Sequence, residues 1–206
     1  MNSNLKELKE KIGTDALIAL DIRTSREFSK AHIPGSISAP YSSWGWGSSI
    51  KEWLNGTPSE IMLISSNPVL YEKASDELKK LGVTVHHSIA DDLKEWVENG
   101  LPVSSLREIE PKSLSNEIDQ WEIIDVREPY ELNYGMIKGA RNVPMSEVQN
   151  LLDKLDRNKK YAIVCAHGNR SEAAAIFLSD NGFHAATMVG GMAGWMRNSL
   201  PIVYPE

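Results

Sequence analysis

The chain repeats itself, and this constrains its fold more than any other feature. Asp21-Ile22-Arg23 recurs as Asp125-Val126-Arg127, displaced by 104 positions, and at the same displacement Glu27 matches Glu131, Ile33 matches Ile137, Gly35 matches Gly139 and Pro40 matches Pro144. Further along, Leu81-Gly82 aligns with Asn181-Gly182 at an offset of 100. Trp96 and Leu101-Pro102-Val103 align with Trp195 and Leu200-Pro201-Ile202 at an offset of 99, so a few residues differ in the loops. The 206 residues are therefore two copies of a unit of roughly 100 residues, a common domain size. The expected division is 1–103 and 112–206, joined by a polar linker over 104–111.

Within each copy, strand and helix signals alternate. In the second, short apolar runs over 122–125, 161–164 and 185–189 suit buried strands. Between them, Pro129 fits a first helical turn, 145–155 carries apolar residues at helical spacing behind a possible Ser146 cap, and 171–181 is an alanine-rich helix stopped by Gly182. A last helix is expected over 193–197. The first copy repeats the order, with strands near 17–21, 61–65 and 84–88. Strands separated by helices predict an α/β fold: two domains, each a mainly parallel sheet with helices on both faces. Ligands of such sheets bind beyond the carboxyl ends of the strands.

Cys165, the only cysteine, falls at such an end, in Val164-Cys165-Ala166-His167-Gly168-Asn169-Arg170-Ser171. With a strand before it and a helix starting near Arg170-Ser171, the small residues between can curl so that backbone N–H groups converge. That makes an anion-binding nest at a helix N-terminus, which keeps a thiol as thiolate. Gly168 and Asn169 are residue types that accept positive φ, Arg170 adds a cation and Ser171 is a candidate helix cap. Space filling by a small buried cysteine is the bland alternative; the Gly-Asn turn, the Arg-Ser helix start and the position at a strand end favour a nucleophile.

This segment resembles the active-site loop of the rhodanese sulfurtransferases, whose pattern is a cysteine, four residues, then arginine and serine or threonine. Asp125-x-Arg127 with Glu131, the stretch Gly139-Ala140-Arg141-Asn142-Val143-Pro144, and Gly190-Gly191 with Gly194-Trp195 agree with that family. Met136 departs from it, standing where the first copy has His32, a position read as packing. Cys165 to Arg170 spans six residues, the sulfur-transfer length; the related phosphatases place one more residue in the loop. The resemblance implies a double displacement. Cys165 takes a sulfane sulfur from a donor such as thiosulfate, the loop 165–171 holds the persulfide, and an external thiol or protein accepts it. No cofactor beyond that covalent persulfide is implied. A low-turnover persulfide carrier or sensor, and a phosphatase or arsenate reductase of the same fold, are the competing readings.

The first copy has lost this machinery. Ser65 stands opposite Cys165, Leu70 opposite Arg170, Pro68 removes an N–H, and Asp91-Asp92 replace Gly190-Gly191, so this half is read as catalytically silent. Asp125 and Arg127 are read as fixing the loop after the first strand, and Arg141 as a candidate pocket residue. His167 is not needed as a base, because amides already stabilise the thiolate. Trp44 and Trp46, set among glycines, are expected on a loop covering a neighbour, either a domain or dimer contact or a flap over Cys165. The five histidines lack metal-ligand spacing. A net charge of −6 offers no general attraction to nucleic acid or to an anionic membrane, and no apolar run is long enough to span a bilayer. With a single cysteine and no signal-like N-terminus, the cytoplasm is the expected compartment.

Overall fold

The computed structural model describes residues 3–42, 45–54 and 60–205. The chain divides into two compact units between Ser105 and Leu106. The first runs α1 (Ser3–Lys11), β1 (Leu17–Asp21), α2 (Ser25–Lys30), β2 (Ile37–Ser38), α3 (Trp46–Leu54), β3 (Glu60–Ile64), α4 (Pro68–Lys80), β4 (His87–Ile89) and α5 (Lys94–Glu98). Its sheet is parallel, in the order β2-β1-β3-β4. The second runs β5 (Glu108–Ile109), α6 (Pro111–Asn116), β6 (Trp121–Asp125), β7 (Arg141–Asn142), β8 (Lys160–Val164), α7 (Asn169–Asp180), β9 (His184–Met188) and α8 (Gly191–Arg197). Its five parallel strands are ordered β5-β9-β8-β6-β7.

The central strands are apolar on both faces because helices cover both. Around β8, Tyr161 and Ile163 pack on one side with Ala174, Leu178 and Phe183, while Ala162 and Val164 pack on the other with Leu114, Met188 and Trp195. The repeat extends to single hydrogen bonds. Trp96 and Trp195 are buried, and each donates its indole N–H to a proline carbonyl six residues on, Pro102 and Pro201, at 2.9 Å. A buried ring whose one polar atom is satisfied contributes apolar burial at little polar cost.

The structure corrects several expectations. Residues 108–109 of the expected linker form β5, which pairs with β9 as an edge strand, and Pro111 opens α6. The backbone of Thr187 and Val189 demands those partners: their N–H groups donate to Arg107 and Ile109 carbonyls. The helix expected over 145–155 is a 3-10 helix, Met145–Leu151, without a side-chain cap. Met145, Val148 and Leu151 recur every three residues, the 3-10 repeat, and the last two are buried. The strand expected over 84–88 is only His87–Ile89. Trp46 is not on a flap: it opens α3, is buried in the first unit's core, and donates its indole N–H to Ala39 at 3.0 Å. Trp44 lies outside the described residues. Among the described residues no helix is long and apolar enough to cross a membrane.

Candidate active site

Asp125 and Arg127 form a buried clip behind the site. The Arg127 guanidinium grips both carboxylate oxygens of Asp125 at 2.7–3.1 Å and donates to the Glu131 and Gly135 carbonyls. Asn142 ties the backbone of both residues down through its side-chain amide. Asp21 and Arg23 repeat the bidentate pair in the first unit. The motif present in both halves is thus a structural fastening of the loop that follows the first central strand.

Cys165 follows the last residue of β8 and is 2% exposed. Gly168 takes φ +123°, a left-handed conformation that favours glycine, and turns the chain into α7. Its N–H donates to the Cys165 sulfur at 3.1 Å. Burial pushes the thiol pKa up, but the Ser171 hydroxyl and the N–H groups of Ser171, Gly168 and His167 outweigh it, so the thiol lies below its ordinary range. Asn169 is the first helical residue and carries no positive φ. Ser171 does not cap the helix either: it lies inside the first turn, its hydroxyl 2.8 Å from the Gly168 carbonyl and 2.8 Å from the Thr187 hydroxyl. The sulfur itself occupies the helix start.

Arg170 is not a free cation over the sulfur. Its guanidinium makes two bonds to the Glu131 carboxylate, at 2.6 and 2.8 Å. Those bonds, against the opposing effect of burial, hold the Glu131 carboxyl down at about 2 and raise the guanidinium further. Glu131 also accepts from the Glu128 N–H, closing the turn that begins at Pro129. Ala166 is half-buried, and His167 and Asn169 are exposed at the mouth. Arg141 is exposed on β7, and no hydrogen bond or ion pair joins it to the Cys165 loop among the described residues.

Sequence reasoning missed the depth of the contact made by Gly190-Gly191. Both have positive φ, and the Met192 and Ala193 N–H groups donate to the Cys165 and Ala166 carbonyls at 2.8 and 3.0 Å. A Cβ on Gly191 would stand 2.4 Å from the Cys165 carbonyl oxygen and 2.7 Å from the His167 nitrogen. Only a residue without a side chain lets the start of α8 close on this loop. Thr187 was likewise missed, because a threonine in a strand signals only strand.

The first unit builds a different loop on the same frame. α4 starts at Pro68, the position matching Gly168, one residue earlier than α7 does. The Asn67 side chain caps it by accepting from the Leu70 N–H at 2.9 Å. The buried Ser65 hydroxyl donates to the Asn67 carbonyl at 2.9 Å. Asp92 stands in the region of the Gly-Gly turn and pairs with Arg23 at 2.8 Å. His32 is buried and stacks on Phe28, consistent with packing at the position matching Met136.

Each unit is an α/β fold on a parallel sheet, and the second carries a thiol in an amide-lined loop at a strand end. The rhodanese-like domain model matches residues 4–99 and 110–198, and the chain belongs to that family in both halves. A sulfurtransferase from Allochromatium vinosum is 32% identical over 105 residues, 49% of this chain and 98% of the relative. YtwF of Bacillus subtilis is 32% identical over 99 residues, 47% of this chain and 96% of the relative. A rhodanese-related protein from Thermoplasma volcanium, of known structure, is 42% identical with a TM-score of 0.46, covering 47% of this chain and 97% of that one. Family membership supports sulfur transfer as the general chemistry of the chain.

Proposed function

We propose that the chain is a thiosulfate-type sulfurtransferase whose second unit does the chemistry through a Cys165 persulfide, with the first unit silent. The observation that carries this reading is the buried Cys165 sulfur at the mouth of α7, accepting the Gly168 N–H at 3.1 Å; the loop donors hold its thiol below the ordinary range. The thiolate attacks the outer sulfur of thiosulfate, the S–S bond to the sulfonate breaks, and sulfite leaves with its electron pair. Cysteine persulfide remains, its charge facing the amides of 167, 168 and 171. An external thiolate then attacks the outer sulfur and leaves as a persulfide, returning the Cys165 thiolate. No second cysteine exists to resolve the intermediate, so the acceptor comes from outside. The six-residue loop favours sulfur over a phosphoryl group. Silence of the first unit is supported by Ser65, whose hydroxyl donates to the Asn67 carbonyl and, among the described residues, to no side-chain base.

Steady-state sulfur transfer from thiosulfate to cyanide tests the proposal. Turnover is expected from the full chain, absent in Cys165→Ser and unchanged in Ser65→Ala. Stable persulfide with negligible turnover would make it a carrier instead. Aryl-phosphate hydrolysis dependent on Cys165, without sulfur uptake, would make it a phosphatase.

A further inference from the structure

Thr187 lies on β9, 1% exposed, its hydroxyl 2.8 Å from that of Ser171. Its side chain has no other hydrogen-bond partner among the described residues. The protons can be counted. Ser171 has one, and its oxygen faces the Gly168 carbonyl, which only accepts. With that proton on Gly168, the contact with Thr187 is satisfied only if Thr187 donates. The Ser171 hydroxyl is also among the donors that hold the Cys165 thiol down, and the Gly168 carbonyl receives the Glu172 N–H at 2.8 Å, so Ser171 can give its proton to the sulfur without orphaning that carbonyl. Thr187 still donates to Ser171 when it does.

We propose that Thr187 is a positioning residue for sulfur transfer: its hydroxyl donates to Ser171 and thereby fixes the Ser171 hydroxyl as a donor to the Cys165 thiolate and then to the persulfide. A chain of two hydroxyls ending on an anion is polarised along its length, which strengthens its last bond. The repeat supplies a comparison within the molecule. Ser88 pairs with Leu63 as Thr187 pairs with Ile163, yet Ser88 is exposed, and Tyr71 occupies the position of Ser171. The hydroxyl pair is built only where the cysteine is. Other charged groups around the sulfur are Arg170 with Glu131, exposed His167, and Glu172 on α7; among the described residues none of them hydrogen-bonds the Thr187 hydroxyl. The inference rests on the reading of Cys165 as the sulfur-bearing group.

The test is the pH dependence of Cys165 alkylation by iodoacetamide in the full chain. Thr187→Val, which keeps the shape and removes the hydroxyl, is expected to raise the thiol midpoint by roughly half a pH unit or more, about a threefold loss of thiolate below the midpoint. Thr187→Ser restores it. Ser171→Ala raises it as well, and adding Thr187→Val to Ser171→Ala shifts it no further. An unchanged midpoint in Thr187→Val overturns the proposal, whatever the melting temperature does, and so does an equal further shift in the Ser171→Ala background. If Thr187→Val does not fold, Thr187→Ala gives the same comparison. Sulfur uptake by the wild-type chain is measured separately by mass. Failure there would refute the role of Cys165, and an unmoved midpoint would refute only that of Thr187.

Discussion

At the residue scale, Cys165 is governed by the balance between burial, which disfavours its anion, and the donors of the loop, which favour it. The donors win. The folded thiol therefore ionises at lower pH than a free cysteine, near 8.5, and alkylation of the wild-type chain should persist below that pH, with a single site lost in Cys165→Ser. Gly191 is the second residue on which the loop depends. Its φ of +57° and the 2.4 Å approach of an added Cβ to the Cys165 carbonyl leave no room for alanine. Gly191→Ala should cost about 1–3 kcal/mol in strain. It should also lower sulfur transfer more than tenfold, read as a drop in melting temperature together with kcat/KM. The loop around Cys165 was legible because small, turn-prone residues stand between an apolar strand and a helix start. Thr187 was not, because its value comes from a partner 16 positions away in sequence.

At the scale of elements, the same strand-to-helix junction is finished in two ways. In the first unit an asparagine caps α4, so the Leu70 N–H is already taken. In the second, glycine opens α7 and the sulfur takes a donor. Ser65→Cys should therefore gain no sulfur from thiosulfate when placed in the Cys165→Ser background, as intact mass would register. The Glu131–Arg170 pair ties the turn at Pro129 to α7. Because the folded carboxyl sits at about 2, below its unfolded value near 4.3, this pair stabilises fully above that unfolded value and loses its effect as pH falls toward 2. Glu131→Gln should melt below wild type at neutral pH, and the gap should close between about pH 4.3 and 2. The element types were legible where burial and spacing agree, as for β1 and β6. They misled at Met145–Leu151, where apolar spacing of three and four residues overlaps, and at Glu108–Ile109, a two-residue edge strand whose pairing partner is far along the chain.

At the scale of the whole molecule, duplication was the most legible fact. Conserved spacing between the copies carried both sheets, both Asp-x-Arg clips and both buried tryptophans. The boundary was less so, because a polar stretch reads alike as linker and as edge strand. Trp46 shows the same limit: glycines beside it suggested a loop, but a buried face and an Ala39 carbonyl made it the start of a helix. One copy keeps the frame and the other keeps the frame with a thiol, and the account stands on that difference. Intact-mass analysis of the full chain after incubation with thiosulfate tests it most directly. The account predicts a gain of one sulfur atom, absent in Cys165→Ser and reversed by cyanide. No gain with thiosulfate or any other sulfane donor would contradict it.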